Sequence, residues 1–518
     1  MTEERRQIVT TGLWLLACAV VVLGLDAALA NDWPVDVDAV HLGLAGAGRF
    51  DPTHYQPHPP GYFGYVVYLK VLHTLGLGGG DPLALARWGA RLAGAAAPVV
   101  AGLLVAGLGG TAGAQRAAGA LTATNPLLLA YAMDGQGHPA EAVGVGLGLL
   151  ACWRVTRSGS AIGCLLLGVL AGGLGGVRPT TTLLLAGPAL WVCWRSEARL
   201  RSALLVGAGT LAGVALWLAP TVAASGGWAE WRALTATLVG ETTAAALSPL
   251  SSTASAQSRL TSVATAGIGA VAAALPALAA VARRGALPRG LLVAFLLPAH
   301  LLFLGLFCAE PGYLLGGLLA WVAIGALAGT PRVAGLVALG QIALFLSLPP
   351  RATPVAGASV SLPSAASIVD RQWAIAAWTA VVTKGEPQAR QLVVSDHPSQ
   401  RFLRTLPLRS GADGLDVHFA GQYVVFRHDL LLHYRRGPLG FAPGPHPLAD
   451  GDATTYALGD RYDVVRVGPL ASGTLGALIA AQASCDGTKG EGGTTYPVAC
   501  FGGGLQLGDR LRVTWETP

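Results

Sequence analysis

The first long polar segment of the chain, residues 31–81, holds side chains that are suited to acid–base chemistry. They come from two short stretches (WPVDVDAVHLG and YQPHPPGY) and are Asp36, Asp38, His41, Gln56 and His58. A carboxylate at a membrane surface suits the role of general base, because partial burial raises a carboxyl pKa toward the working pH. Asp36 and Asp38 would share a face of an extended segment but diverge on a helix. The alternative for Asp38 is structural, the capping of a helix in this segment.

Two of these stretches resemble a known pair of motifs. Residues 38–43 (DAVHLG), followed by residues 58–61 (HPPG), are similar to the paired signature of protein O-mannosyltransferases. More broadly they resemble the GT-C superfamily of polytopic membrane glycosyltransferases, which includes the bacterial aminoarabinose transferases. The resemblance implies that Asp38 deprotonates an acceptor hydroxyl and that the donor is a polyprenyl-phosphate sugar. It also implies that the reaction takes place on the outer face of the membrane. The mannosyltransferase-like enzymes need no metal whereas the oligosaccharyltransferases do, and we assign no metal.

The chain departs from the mannosyltransferase pattern at two positions. Ala39 stands where the family has an acidic residue, and Gln56 stands where it has a second aspartate. Asp36 is the candidate substitute for the first of these, so it is a second candidate for the base. His41, Gln56 and His58 are expected to contact the substrates.

Residues 131–141 (YAMDGQGHPAE) form a second candidate group, in which Asp134, His138 and Glu141 crowd a tight turn. His138 and Glu141 are three residues apart and would share one face of a starting helix. Two or three ligands without a fourth are a weak signal for a metal, and we assign none. Helix capping by Asp134 and pairing of Glu141 with the helix dipole is the structural alternative to substrate binding.

An arginine stands among glycines in residues 172–179 (GGLGGVRP). An arginine at a membrane edge is costly unless it is paired, and a phosphate matches its two-pronged donor geometry. We therefore expect Arg178 to bind the donor phosphate, with the glycines leaving room for a lipid headgroup. Snorkelling of the side chain to the interface is the alternative. Many bacterial GT-C proteins have a similar Gly-x-Arg-Pro element, which the resemblance places at the site.

Glu310 and Tyr313 belong to a short turn, residues 307–313 (FCAEPGY), between two strongly apolar runs. They are expected to contact donor or acceptor, although proline and glycine alone also make such a turn. A Trp-rich stretch within residues 223–260 is either an interfacial anchor or a lid over the acceptor, and the sequence does not separate the two.

The composition shows which elements must position these residues. The 518-residue chain is 53% hydrophobic and only 12% charged, with a mean hydropathy of +0.53. Soluble domains carry about 25% charged residues, so the composition excludes a disordered chain, a disulfide-dense secreted domain and a typical cytosolic enzyme. The net charge is +6, but there is no basic run that would indicate nucleic-acid binding.

Eleven apolar runs predict about eleven transmembrane helices: 8–30, 87–109, 117–132, 140–153, 161–176, 180–194, 202–222, 261–282, 290–307, 314–329 and 333–349.

The arginines set the orientation of these helices. Ten of them fall in alternate connections, on the same side as Arg5 and Arg6, which predicts a cytoplasmic N-terminus: Arg116, Arg154, Arg157, Arg195, Arg199, Arg201, Arg283, Arg284, Arg289 and Arg332. An odd number of spans then places residues 350–518 outside the cytoplasm. The sequence thus predicts a GT-C-like catalytic membrane domain, residues 1–349, whose outer loop 31–86 carries the catalytic motif.

Residues 350–518 differ in character from the rest. They contain fourteen of the 28 acidic residues, and turn residues separate short β-like runs such as 391–395, 422–426 and 462–467. We predict an extracytoplasmic mixed α/β domain. Cys485 and Cys500 could pair if this domain is exported, whereas Cys18, Cys152, Cys164 and Cys193 are expected to be inert core residues.

The sequence therefore predicts a multi-pass protein of the cell membrane that transfers a sugar from a polyprenyl-phosphate donor to a hydroxyl of a glycan, lipid or protein. Two other classes compete with this one. A transporter or flippase of lipid-linked sugars would place ionisable residues near the bilayer midplane, often within repeats. A non-catalytic scaffold that binds cell-wall glycans would leave the Asp38 and His58 motifs unexplained.

Overall fold

The computed structural model describes residues 2–29, 38–52, 56–238, 256–282, 289–306, 310–355 and 358–372, and nine strands between residues 391 and 516. Its helices are α1 (Glu3–Leu29), α2 (Asp38–Ala47), α3 (Phe63–Thr74), α4 (Pro82–Gly107), α5 (Ala112–Ala123), α6 (Pro126–Ala132), α7 (His138–Ser158), α8 (Ala161–Gly173), α9 (Pro179–Arg195), α10 (Arg199–Ala224), α11 (Trp228–Leu238), α12 (Ala256–Ala274), α13 (Arg289–Leu306), α14 (Leu315–Ala328), α15 (Pro331–Ser347) and α16 (365–372). Short 3-10 turns follow or precede three of them at Leu174–Gly176, Leu275–Ala282 and Pro311–Leu314.

The helices are compatible with a helical membrane protein. Within the part of the chain that the structure describes, five helical segments are long and apolar enough to cross a bilayer: Glu3–Leu29, Pro82–Gly107, Arg199–Ala224, Arg259–Ala280 and Pro311–Ala328. The outside of the bundle is apolar as well; on α10, Leu200, Leu211 and Leu216 are 74%, 73% and 66% exposed. Exposed apolar surface on this scale suits contact with lipid rather than water.

Helical structure covers every apolar run predicted from the sequence, and the count of eleven spans stays a prediction. One run, 117–132, is not continuous, because α5 ends at Ala123 and α6 begins at Pro126. The side chain of Asn125 accepts hydrogen bonds from the backbone N–H groups of Leu127 and Leu128, and so caps a new helix. Pro126 has no N–H to continue the preceding helix.

The centre of the bundle consists of α4, α5, α7 and α14, whose buried side chains are mostly alanine, leucine and valine. The short helices α2 and α3 of the first polar segment pack on the beginning of α4. A side chain at Gly43 would collide with the carbonyl oxygen of Pro82, so α2 lies directly against the first turn of α4. Leu69 of α3 packs with Leu42 and Leu85. The position of Asp38 therefore follows from the packing of α2 on α4.

Helices α8 and α10 approach each other through glycines spaced four residues apart. A β-carbon at Gly168 or Gly172 would overlap the backbone of α10, and one at Gly209 or Gly213 would overlap the backbone of α8. Small residues at this spacing let two helix backbones pack closely in a membrane. Gly172, the first glycine of the stretch before Arg178, thus serves helix packing, whereas a β-carbon at Gly173 would meet nothing within 4 Å, and room there for a lipid headgroup stays a prediction.

This close packing makes a stability prediction. Gly209→Val should lower the thermal unfolding temperature of the purified protein, because overpacking of a tight contact typically costs about 1–3 kcal/mol. Gly207→Val is the matched control, because a β-carbon at Gly207 of the same helix meets nothing within 4 Å. Equal unfolding temperatures for the two variants would contradict the packing described above.

The strands follow the helices. An antiparallel hairpin of β1 (Arg351–Val355) and β2 (Ala358–Ser361) comes directly after α15. The others are β3 (Gln391–Ser395), β4 (His418–Ala420), β5 (Tyr423–Phe426), β6 (Thr454–Arg461), β7 (Val464–Val467), β8 (Asp486–Glu491), β9 (Thr494–Ala499), β10 (Gly504–Leu507) and β11 (Leu511–Glu516). Their sheets have the orders β4-β5-β3-β7-β9-β8 and β10-β11-β6. Strands β3, β5 and β7 fall on the three β-like runs, so those strand predictions are confirmed.

The cysteine predictions divide between two parts of the chain. Cys18, Cys152, Cys164 and Cys193 are buried, as expected of core residues. Cys485 and Cys500 lie outside the described residues, so their pairing stays a prediction.

Candidate functional site

Asp38 is the first residue of α2, and its side chain is 34% exposed, so a substrate can reach it. One helical turn later, Nδ1 of the buried His41 lies 3.9 Å from Oδ1 of Asp38. Nε2 of His58, in the HPPG stretch, lies 3.3 Å from Oδ2, the other carboxylate oxygen of Asp38. The structure thus brings together three residues of the two sequence motifs around a single accessible carboxylate.

The orientation of His58 follows from its own backbone. Its Nδ1 lies 2.6 Å from the carbonyl oxygen of Pro59. Because a carbonyl oxygen only accepts, Nδ1 carries a hydrogen and Nε2 is the nitrogen that faces Asp38. The backbone contact therefore turns Nε2 of His58 toward Oδ2 of Asp38.

Hydrogen bonds on both sides of His58 hold the segment that carries it. Backbone hydrogen bonds in both directions pair Gln56 with Asp51. The peptide bonds Gln56–Pro57 and Pro59–Pro60 are both cis. From α11, the indole N–H of Trp231 donates to the carbonyl oxygen of Pro60 at 3.3 Å. The Trp-rich stretch is therefore tied to the HPPG stretch, a contact that the sequence did not predict.

Arg178 lies in a second cluster and is only 7% exposed. Its Nε is 3.6 Å from Oε2 of Glu141, and its Nη1 is 3.1 Å from Nε2 of His138. The guanidinium also lies over the rings of Tyr62 and Tyr313, at 5.5 and 4.5 Å from their centroids. A snorkelling arginine would be exposed at the interface, so the burial and contacts of Arg178 favour a site residue.

Two carboxylates belong to this cluster, and hydroxyl groups donate hydrogen bonds to each of them. Glu141 is fully buried and accepts hydrogen bonds from the hydroxyls of Thr180 and Thr181, at 2.9 and 3.0 Å. Glu310 accepts a hydrogen bond from the Tyr131 hydroxyl, and its Oε1 lies 3.9 Å from Nε2 of His138. Glu141 is therefore more than a partner of the helix dipole, and the turn at Glu310 belongs to the same cluster.

Glycine is required at the centre of that turn. A β-carbon at Gly312 would overlap the imidazole of His138, and the ring of Tyr313 packs edge-on against the same imidazole at 5.3 Å between centroids. The run of proline, glycine and tyrosine in this turn thus has a packing reason as well as a turn-forming one.

Tyr62 connects the two clusters, and the sequence analysis did not single it out as a site residue. Its ring meets His58 edge-on at 5.0 Å and lies beside the Arg178 guanidinium. Burial raises the pKa of its phenol well above the ordinary value, although the Arg178 charge acts in the opposite direction. The hydroxyl therefore keeps its proton at neutral pH. The sequence signal that could have identified Tyr62 as a site residue is its position at the end of the HPPGY stretch.

Local packing explains why Tyr62 meets Arg178. Gly64, at the start of α3, touches the backbone of Gly176, so no side chain fits between the two segments. The indole N–H of Trp217 on α10 donates to the carbonyl oxygen of Gly172 at 3.0 Å and anchors the end of α8. The α8–α10 pair therefore positions Arg178 against the first polar segment.

The remaining candidates have other environments. One carboxylate oxygen of Asp134 accepts from the backbone N–H of Gln136 at 2.7 Å, a turn-stabilising contact. Gln56 is buried, and its backbone closes the turn described above. Asp36 lies outside the described residues, so its role as an alternative base stays a prediction. Among the described residues, no three His, Cys, Asp or Glu side chains are arranged to hold a metal ion.

Comparison with known proteins adds no relative to this description. No protein family model matches the chain, and no curated protein matches it at a significant level.

Proposed function

We propose that this chain is a membrane glycosyltransferase. It moves a sugar from a polyprenyl-phosphate donor to an acceptor hydroxyl on the outer face of the cytoplasmic membrane, in the synthesis of cell-envelope glycans. The proposal includes the predicted topology, with about eleven spans, a cytoplasmic N-terminus and residues 350–518 outside. The apolar helices and the alternation of arginines support this part of it.

One observation carries the proposal. The accessible carboxylate of Asp38 is oriented by His58 at 3.3 Å and is linked through Tyr62 to the buried positive charge of Arg178. A sugar transfer from a lipid phosphate needs both groups, namely a base for the attacking hydroxyl and positive charge for the departing phosphate. The two motifs that resemble the GT-C superfamily supply the first group, and the Gly-rich segment supplies the second.

In the proposed reaction, the bond that forms is matched by one that breaks, and the proton and the electron pair are accounted for without a cofactor. The acceptor oxygen attacks the anomeric carbon while its proton passes to Asp38. The bond between that carbon and the phosphate oxygen breaks, and the polyprenyl phosphate leaves with the electron pair. This direct displacement inverts the anomeric configuration, as the resemblance implies. The fixed guanidinium of Arg178 stabilises the charge that grows on the leaving phosphate.

The positions of the ionisable groups favour an enzyme over a transporter or flippase. A transporter places such groups near the bilayer midplane, in broken helices. Here Asp38, His138 and Glu141 lie in the first turn of their helices, and Arg178 and Glu310 lie in the connections between helices. All of these connections fall on the outer side in the predicted topology.

Transfer assays with the purified protein test the proposal. We expect release of polyprenyl phosphate and a new glycosidic bond of inverted configuration with at least one donor from a panel of polyprenyl-phosphate hexoses and pentoses. Product stereochemistry would be read by NMR. Movement of the intact lipid-linked sugar across proteoliposomes, with no transfer from any donor, would favour the flippase instead.

A further inference from the structure

A polar cleft of about 350 Å³ lies beside the candidate site and is not used by the proposed chemistry. The turn after α6, helix α12, the Glu310 turn, the β1–β2 hairpin and α16 form its walls. Its polar lining includes Tyr131, Asp134, Gln136, Glu310, Ser361 and Ser367. The volume is at the lower end of the roughly 300–1,000 Å³ that is typical of small-molecule sites. The cleft therefore has room for the end of a chain molecule but not for a long stretch of one.

The charges of the cleft indicate the class of ligand. Asp134 and Gln136 are the most buried polar groups of the lining, each 4% exposed, and Glu310 supplies a second carboxylate. Arg351 and Arg371 also line the cleft, so two guanidinium groups balance the two carboxylates and the charged side chains of the lining sum to zero. Arg351 is 64% exposed, and its Nη2 lies 3.6 Å from Oδ2 of Asp370, which offsets part of its charge. A neutral ligand suits this arrangement best.

The side chains of the cleft also suit a ligand with many hydroxyl groups. Carboxylates accept hydrogen bonds, the amide of Gln136 both donates and accepts, and serine hydroxyls do either. Between these groups lie the apolar surfaces of Ile268, Pro311 and Leu362. A sugar ring presents hydroxyls along its edge and C–H groups on its faces, which matches polar groups that alternate with apolar ones.

We propose that this cleft binds a neutral glycan segment, the part of the acceptor that lies away from the reacting hydroxyl. Glu310 belongs to both places, because it lines the cleft and also contacts His138 in the Arg178 cluster. Binding energy gained in the cleft would then hold the acceptor in position for reaction. The assignment to the acceptor rests on the proposed glycosyltransferase function, whereas glycan binding itself does not.

A binding experiment with full-length protein tests the inference. The probes are neutral oligosaccharide fragments of mannan, arabinan, galactan and glucan, and saturation-transfer NMR in detergent reports binding. We expect at least one fragment to bind the wild type. Ser361→Trp should weaken this binding by at least about tenfold, because a bulky ring at an exposed lining position fills the opening. Thr353→Trp is the matched control, since Thr353 is exposed on the same hairpin but does not line the cleft.

Several results would overturn the inference. They are no binding of any fragment by the wild type, equal binding by the Ser361→Trp and Thr353→Trp proteins, or saturation by a serine-containing peptide in place of the glycans. The transfer assays with the wild-type protein separate this inference from the proposed function. If no donor supported transfer while the Ser361→Trp result held, the cleft would remain a glycan site and its assignment to an acceptor would fail.

Discussion

Asp38→Asn is expected to lower the rate of sugar transfer by about 10²–10⁴-fold, the usual contribution of a general base. Asparagine has nearly the same shape as aspartate but does not accept a proton at neutral pH. The side chain stands at the start of α2 and is partly exposed, so the fold should tolerate the change. The measurement is the rate of polyprenyl phosphate release under saturating donor and acceptor.

A matched control comes from the same polar segment. Asp81 caps α4 by accepting a hydrogen bond from the backbone N–H of Leu83 at 2.9 Å, and an asparagine oxygen does the same. Asp81→Asn should therefore keep the wild-type rate. Normal transfer by Asp38→Asn would contradict the assignment of Asp38. If Asp36→Asn were then inactive, Asp36 would be the base, and activity in both variants would exclude this segment as the source of the base.

Arg178→Met is expected to destabilise the protein by about 3–5 kcal/mol, because it leaves the fully buried Glu141 carboxylate without its positive partner. Methionine fills much of the same volume, so loss of charge rather than a cavity dominates the effect. Thermal unfolding in detergent measures it. Arg195→Met is the control, since Arg195 is exposed at the end of α9 and surface changes are usually within about 0.5 kcal/mol.

A double variant separates stability from chemistry at this site. Glu141→Gln in the Arg178→Met background removes the uncompensated charge and keeps an oxygen that accepts from Thr180 and Thr181. We expect most of the lost stability to return. Transfer should stay impaired, because the positive charge for the leaving phosphate is still missing. Recovery of both stability and turnover would show that Arg178 is structural only.

Arg178→Lys is a more conservative substitution at the same position. Lysine keeps the charge but lacks the planar fork that matches two phosphate oxygens. We expect stability between that of the wild type and Arg178→Met, and a raised KM for the donor with a smaller change for the acceptor. Equal changes in both KM values would count against a donor-phosphate role.

The amino-acid sequence alone was sufficient to predict the helical, membrane-compatible class. Hydropathy is a property of consecutive residues, so every apolar run found in the sequence falls on helical structure. The strands β3, β5 and β7 likewise fall on short valine-containing runs that turn residues separate, which is also a local pattern. The candidate residues were also found by type and spacing, because motifs such as DAVHLG and HPPGY are local.

Only the tertiary structure decided how these residues meet. Arg178 is 40 residues from His138 and far from Tyr62 in the chain, and no local pattern states that they are in contact. At Gly172 and Gly176, two of the glycines before Arg178, a neighbouring helix, α10, occupies the space that a side chain would take, and this contact too joins distant parts of the chain. The cleft beside Glu310 has walls from five separate segments, so it exists only after the helices and the hairpin have packed together.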